Sequence, residues 1–346
     1  MSSTVQYLLL AIPILLLVGG CESDLARQVS KYEKTRDYES ASQLLERTVR
    51  KNPGNAEAQF LLGRLYMRQG SYKKGVSAFK KSRKSSARFV DKIDFLTEKY
   101  AHEEFKKGKQ AVESGSMKDA IQHFRNVTRI QPSNAPAFRT LGHARVQAKR
   151  FKEAEAAYEK ALELEPTVET LNNLSSLTFR REAYSETIEY SRRALELLNQ
   201  SEDQAPQGSK SEVVERLAYA YLQNGQFSDA RKRFDQALQL DPSQELRRDY
   251  AFALHNNEEY EDALPHLQRL SAGEETTDSV LHALGETHLS LGRPQDAANT
   301  YLRLHERSPN DGDALQSLVI AYEELDQDTK AKEYLKKLKN ISSEEE

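Results

Sequence analysis

The feature that most constrains the fold of this chain is a pattern that recurs about every 33 or 34 residues. It is clearest in the segments that begin at Ala56, Ala137, Val214 and Leu281. Each segment has a large apolar residue followed by Gly or Ala, then a turn, and then a small residue followed by an aromatic one. A pattern with this period predicts a stack of similar units that bury their apolar faces against one another.

The small residue that follows each turn marks the register of the pattern. Equivalent positions occur at Ala41, Gly75, Ala120, Ala154, Thr187, Ala230, Ala263, Ala297 and Ala331. Successive markers are 33 or 34 residues apart, except for intervals of 45 after Gly75 and 43 after Thr187. The sequence therefore predicts nine units.

Within a unit, the spacing of the apolar residues predicts two antiparallel helices. In the segment from Val214, one face of the first helix carries Leu217, Ala218 and Tyr221, and one face of the second carries Ala230, Phe234 and Ala237. Asn224-Gly225 interrupts the chain between the two helices, and Asp241-Pro242 ends the second. No segment has the alternation expected of a strand.

This pattern resembles the tetratricopeptide repeat over nearly all of the chain from Glu22 to Leu338. The resemblance implies an all-α solenoid, a right-handed superhelix of about nine antiparallel helix pairs. We expect repeats 1–5 over residues 21–199, a polar loop over 200–210, repeats 6–9 over 211–338 and a frayed acidic tail over 339–346. The extra residues from Arg88 onward are predicted to extend a first helix.

The N-terminal residues differ from the rest of the chain. Residues 1–20 contain no charged side chain, and the apolar run over residues 7–18 is too short to span a bilayer but typical of a signal peptide. The segment Val18-Gly19-Gly20-Cys21 resembles a bacterial lipobox, which implies cleavage after residue 20 and lipid attachment at Cys21. The alternative is an uncut signal anchor in which Cys21, the single cysteine, is incidental.

The lipobox resemblance implies a chain that is held to a membrane by several acyl chains and faces the periplasm. Glu22 follows the cysteine, and the absence of Asp at this position favours the outer membrane, with the inner membrane as the alternative.

Composition and motifs argue against catalysis. The net charge of −3, from 50 basic and 53 acidic residues, gives no overall attraction to nucleic acid. The eight histidines are scattered, without a metal-binding spacing, and no glycine-rich phosphate loop is present. We therefore expect no enzymatic activity, no metal or cofactor, no small-molecule substrate and no nucleic-acid partner.

The resemblance instead implies a concave groove, lined by the first helices, that binds a protein or peptide. Carried over by register, the groove residues are Phe60, Arg64, Phe105, Lys109, Arg139, His143, Asn172, Tyr219, Leu222, Arg248, Phe252, His255 and His282. Aromatic and arginine side chains are common in protein-binding hot spots. The alternative is that several of these side chains only pack against neighbouring repeats.

One charge run stands apart from the repeat pattern. Eight basic residues lie between Lys73 and Lys92, with Asp91 as the only acidic residue among them. Such a run is either a solvated outer surface or a site for lipid head groups or an acidic partner.

Together these features predict a membrane-anchored scaffold. It is similar to the repeat lipoproteins that assist the assembly of pili, secretins or outer-membrane proteins, or the export of exopolysaccharide. The alternatives are a docking subunit for a peptidoglycan-active enzyme and a cytosolic adaptor.

Overall fold

The computed structural model describes residues 23–200, 209–273 and 276–344. In these residues every regular element is a helix, which confirms the all-α prediction. The proposed signal peptide and Cys21 lie outside the described residues. None of the described helices is long and apolar enough to cross a bilayer.

The chain divides into two compact units, and the division falls between Arg150 and Phe151. Unit 1 contains seven α-helices and a single 3₁₀ turn, Ala87–Phe89. Its helices are α1 (Asp24–Lys34), α2 (Tyr38–Lys51), α3 (Ala56–Arg68), α4 (Tyr72–Ser85), α5 (Val90–Glu113), α6 (Met117–Ile130) and α7 (Ala135–Gln147).

Unit 2 contains the remaining eleven described helices. They are α8 (Phe151–Leu164), α9 (Val168–Arg180), α10 (Tyr184–Gln200), α11 (Ser209–Gln223), α12 (Phe227–Leu240), α13 (Gln244–Asn256), α14 (Tyr260–Ser271), α15 (Asp278–Ser290), α16 (Pro294–Arg307), α17 (Gly312–Glu324) and α18 (Asp328–Glu344). Odd-numbered helices are the first helices of their pairs and even-numbered helices the second. The described residues thus contain the nine predicted pairs.

A three-residue turn joins the two helices of every pair, and its middle residue has a positive φ in all nine cases. That residue is glycine in four turns, such as Gly225 at 72°. In the other five it is Arg36, Lys149, Glu182, Glu258 or Asp326, with φ between 57° and 63°. One backbone geometry therefore recurs in every turn, whether or not glycine is present.

Within each unit, the markers of the repeat register lie where paired helices touch. The alanines at this position are all buried, and eight of the nine marker residues belong to second helices that pack on the preceding first helix. A Cβ added to Gly75 would come within 2.8 Å of Sδ of Met67, so the Met67 side chain would have to move to admit a larger residue there. The exception in size, Thr187, donates its buried hydroxyl to Oγ1 of Thr178 at 2.9 Å.

Most first helices also carry a small residue that faces the second helix of the same pair, and the side chain it faces there is usually aromatic. Gly63 faces Phe79, Gly108 faces Phe124, and Gly285 faces Tyr301. In α9 and α10 two small polar residues replace this combination, and the hydroxyls of Ser175 and Ser191 lie 2.6 Å apart in the core. Ring size on one helix is therefore matched by the absence of a side chain on the other.

The longer intervals have different structures. The first is taken up by α5, which extends over 24 residues as predicted. At the second, α10 continues to Gln200 and α11 begins at Ser209, so helices include both ends of the predicted loop, and residues 201–208 lie outside the described part. In the predicted tail, α18 continues to Glu344, because no glycine or proline interrupts it.

Candidate functional site

The first helices of successive pairs contact one another inside each unit. In unit 1, α3 contacts both α1 and α5; in unit 2, α9 contacts α11, and α15 contacts both α13 and α17. Side chains on these helices therefore form a row that runs from pair to pair. The sequence-predicted groove residues all lie on first helices, so the row is the candidate site.

In unit 2 four polar contacts, here called the first-helix bridges, connect one first helix to the next. They are Arg216 to Asn172, Tyr219 to Asp249, His255 to Glu286, and His282 to Asp311. Each bridge includes one residue of the predicted groove set. These side chains are therefore engaged with the neighbouring pair as well as being partly exposed.

The Tyr219 bridge shows how burial shapes the chemistry of the row. The Tyr219 hydroxyl donates a 2.7 Å hydrogen bond to Oδ2 of Asp249, and its ring meets Phe234 edge to face. Burial, followed by the bond to the Asp249 carboxylate, raises the pKa of Tyr219 well above its usual range. The Tyr219 phenol therefore stays protonated and acts as a hydrogen-bond donor. In the neighbouring bridge, burial lowers the pKa of Arg216, which donates to the Asn172 side chain.

Two bridges use histidine. Nε2 of His255 lies 3.0 Å from Oε2 of Glu286, and its Nδ1 lies 3.1 Å from the Thr287 hydroxyl. Nε2 of His282 lies 2.8 Å from Oδ2 of Asp311. The other carboxylate oxygen of Asp311 accepts a bond from the Ala314 amide and caps α17. Although burial opposes it, these hydrogen bonds lower the pKa of Asp311, so the carboxylate is charged where it faces His282.

In unit 1 the predicted residues Phe60 and Arg64 line a cavity of about 360 Å³ together with part of α5. Phe60 is only 7% exposed and stacks on Phe89 with ring centroids 4.8 Å apart. Arg64 donates a 2.9 Å hydrogen bond to Oε2 of Glu33 on α1. Phe60 is therefore mainly a core residue, and Arg64 forms a bridge of the same kind as those in unit 2.

A second cavity in unit 1, of about 300 Å³, lies against Phe105. Its wall is mostly apolar, and α5, α6, α7 and the segment between α6 and α7 contribute to it. The lining residues are Glu98, Ala101, His102, Phe105, Val127, Gln131, Asn134, Pro136, Ala137 and Thr140. The Phe105 ring is half-buried and packs on Phe124 at 5.6 Å. An apolar floor with a polar rim is the usual chemistry of a ligand pocket.

The other predicted residues are more dispersed. Lys109 and His143 are exposed, and Arg139, Leu222 and Phe252 are partly exposed on their first helices. Arg248 lines a cavity of about 340 Å³ that includes Gln244, Leu270 and Val280. The groove assignment of the set as a whole stays a prediction.

The sequence-based reasoning missed the partners of the bridges: Glu33, Arg216, Asp249, Glu286 and Asp311. Four of these bridges join residues that are 29 to 31 positions apart, slightly less than one repeat. A search for charge or hydrogen-bond complements at that separation could have found them. No cluster of His, Cys, Asp or Glu suited to holding a metal occurs among the described residues.

Comparison with known proteins gives the family of the repeats. Profiles of the tetratricopeptide repeat match residues 27–87, 111–174, 215–274 and 280–315. A curated relative, a "Protein STIP1 homolog" of Dictyostelium discoideum, is 33% identical over 101 residues, which are 29% of this chain and 18% of that protein. The chain thus spans less than a fifth of this relative.

Two solved structures are similar in part. YrrB, described as a TPR protein with an unusual peptide-binding site, shares 16% identity over 56% of this chain and 96% of its own, with a TM-score of 0.47. PilF of Pseudomonas aeruginosa shares 21% identity over 64% of this chain and 97% of its own, with a TM-score of 0.43. At these identities, neither structure indicates what the present chain binds.

Proposed function

Because the chain belongs to the tetratricopeptide-repeat family, we propose that it is a scaffold that binds protein or peptide partners along its first helices and carries out no chemistry itself. Members of this family stack helix pairs into extended surfaces that contact other proteins.

The cavity beside Phe105 is the observation that carries the proposal. It lies in the row of first helices, and it joins an aromatic ring and the buried Ala137 to polar groups at its edge, His102 and Thr140 among them. Its volume of about 300 Å³ suits one or two side chains of a peptide. Apolar anchors in such pockets supply much of the free energy of protein association.

The proposed location is the periplasmic face of the outer membrane, where the scaffold serves in assembly of the cell envelope. Support comes from the apolar run over residues 7–18 and from the resemblance of Val18-Gly19-Gly20-Cys21 to a lipobox. Replacement of Cys21 by Ala should leave an unprocessed precursor without acyl chains. The same acyl mass on the variant, or unchanged cleavage after Gly20, would rule out this anchor.

The groove is tested by capturing partners of the tagged chain from its native envelope after crosslinking. Thr140→Arg places a long side chain at the cavity and should abolish capture, with helical content unchanged. Gln122→Arg adds the same side chain on the exposed face of α6 and serves as the matched control. Equal capture by both variants would refute binding at this cavity.

A broader variant replaces Phe105, Arg139, Tyr219 and Phe252 with Ala. Loss of one buried anchor commonly costs about 2 kcal/mol, roughly thirtyfold in affinity, so the combined loss is readily measured. Tyr219 and Phe105 also pack on other rings, so replacing them with Ala removes contacts inside the fold as well. Tyr219→Phe keeps the ring of residue 219 and serves as the control. Co-purification of a peptidoglycan hydrolase would identify the chain as a docking subunit instead.

A further inference from the structure

The second helix of the second pair, α4, differs in charge from all the others. It contains six basic residues and no acidic one, whereas every other second helix contains at least one Asp or Glu. This occurs in a chain whose net charge is −3. The excess of positive charge is therefore local to this helix.

The lysines of α4 form a stripe opposite its buried face. The core side of the helix is made by Tyr72, Gly75, Ala78, Phe79 and Ser82. Lys73, Lys80 and Lys84 follow each other at the spacing of one helical face, with the exposed Ser77 between the first two. At a rise of about 1.5 Å per residue, the stripe is roughly 16 Å long. It faces solvent along its whole length.

The stripe is not neutralised by neighbouring residues. Among the residues that the structure describes, Arg83 is the only basic side chain of α4 in an ion pair, with Asp94 of α5. Lys74 lies over the Tyr66 ring, with Nζ 5.5 Å from the centroid. The exposed Arg88 and Lys92 add positive charge just beyond the end of α4. A surface of this kind attracts a multiply charged anionic partner.

We propose that the exposed face of α4 rests on an anionic phospholipid surface. The stripe consists of lysines, which are strongly hydrated point charges on flexible stems and do not provide the bidentate geometry of arginine. It has no aromatic, arginine or large apolar residue that could serve as an anchor for a protein partner. Diffuse attraction to a lipid surface needs only the charges, at about 1 kcal/mol per Lys or Arg.

The inference rests on the membrane location proposed above and adds an orientation to it. With α4 on the bilayer, unit 1 is held against the membrane by the second helix of its second pair. The first helices α3 and α5 pack on the other side of α4 from the lysine stripe, so their row of side chains stays accessible to a partner.

The absence of tryptophan from the chain allows a direct test. Ser77→Trp places a single fluorophore within the stripe, and Asn299→Trp places one at the equivalent exposed position of α16, where no lysine is present. Each full-length variant is reconstituted with vesicles of phosphatidylcholine alone or with phosphatidylglycerol added. We expect the emission at position 77 to shift to the blue, and to be quenched by brominated lipid, only with phosphatidylglycerol.

The shift should be lost at about 1 M salt, where the screening length falls to about 3 Å. It should also be lost when Lys73, Lys80 and Lys84 are replaced by Gln in the Ser77→Trp chain, with unchanged helical content. The reporter at position 299 should not respond. Retention on neutral vesicles tests the anchor separately, since the α4 charges have no part in it.

Three results would overturn the proposal. The first is an unshifted reporter at position 77 on anionic vesicles to which the chain is bound. The second is an equal shift on neutral and anionic vesicles. The third is a blue shift with polyglutamate when anionic vesicles at the same concentration of negative charge give no shift. That result would assign the surface to an acidic protein.

Discussion

The carboxylate of Glu104 on α5 accepts a 2.7 Å hydrogen bond from Nδ2 of Asn126 on α6. The same oxygen lies 3.0 Å from Nδ1 of His123, and the other oxygen accepts a 3.0 Å hydrogen bond from Nζ of Lys107. Glu104 is 3% exposed, so a charged group is buried between the two helices of the third pair. Its partners compensate for the loss of hydration.

This arrangement predicts a pH-dependent contribution to stability. Burial alone would raise the pKa of Glu104, but the hydrogen bonds from Asn126, His123 and Lys107 lower it from 4.5 to about 2. A carboxyl whose pKa is depressed by folding stabilises the folded state above its unfolded pKa, and this stabilisation is lost as the pH falls. The loss should extend from about pH 4.5 to about pH 2.

Glu104→Gln should lower the free energy of unfolding at pH 7 by about 1–3 kcal/mol, because it removes the charge that Lys107 and the polar groups of α6 surround. Hydrogen exchange of the α5 and α6 amides, measured at pH 7 and near pH 2, checks this, since the difference from the natural chain should shrink in acid. Glu103→Gln, at the exposed neighbouring position, is the control. Equal protection in both variants at pH 7 would contradict the assignment.

The contact between Gly285 and Tyr301 predicts a severe effect of one methyl group. A Cβ on Gly285 would come within 2.6 Å of Cε2 of Tyr301, and that ring is fully buried. Gly285→Ala should therefore destabilise α15 and α16 by about 1–3 kcal/mol through overpacking. Urea unfolding followed by circular dichroism gives the change.

The seventh pair supplies the matched control, because it has Ala251 and Leu267 at the equivalent positions. The double variant Gly285→Ala, Tyr301→Leu reproduces that combination in the eighth pair. Its destabilisation should be smaller than the sum of the two single effects, since the smaller side chain makes room for the methyl group. Additive effects would show that the two positions do not compete for the same space.

The turn geometry predicts opposite effects of two substitutions at equivalent positions. Gly225 has a φ of 72°, and no atom lies within 4 Å of a Cβ placed there, so Gly225→Ala should cost about 1 kcal/mol for backbone conformation alone. At Glu258, with a φ of 63°, replacement by Gly should raise the free energy of unfolding by a few tenths of a kcal/mol. The midpoint of urea unfolding measures both. A gain in stability for Gly225→Ala would contradict this account.

Buried His288 predicts loss of stability in mildly acidic solution. Burial lowers the pKa of His288 below 6.5, the nearby Arg293 lowers it further, and Asp296, 4.0 Å away, opposes the change. Because the folded state disfavours the imidazolium, the stabilisation is present above pH 6.5 and is lost as the pH falls through the folded pKa. The protection of the α15 and α16 backbone amides against hydrogen exchange, corrected for the intrinsic exchange rate, should therefore decrease from pH 7 to pH 5.

An NMR titration checks the premise, since the ring protons of His288 should report a pKa below 6.5. His288→Leu should flatten the dependence of stability on pH in this range, while His143→Leu, at an exposed position of α7, should not. A titration of His288 at or above 6.5 would refute the prediction.

Much of the fold follows from contacts between residues close in sequence. Ala230 and Phe234 lie on one helical face, and Leu217 and Ala218 lie on the helix that immediately precedes it. Such contacts depend on helical spacing and on residue size, both of which are visible in the sequence. The turns were less visible, because Glu258 and Arg36 adopt the left-handed conformation without the glycine that usually indicates it. There the packing of the two helices imposes the backbone geometry.

By itself, the sequence determined the helical class, the number of helix pairs and the register of their small and aromatic residues. All three follow from the spacing of residues within one repeat, and this spacing recurs nine times. Tertiary structure alone decided which polar side chains meet. Tyr219 reaches Asp249, and His282 reaches Asp311, only because successive first helices stack at a particular distance and rotation. That stacking depends on the way in which many side chains together fill the space between neighbouring helix pairs. The spacing of any two residues in the sequence does not reveal such collective packing.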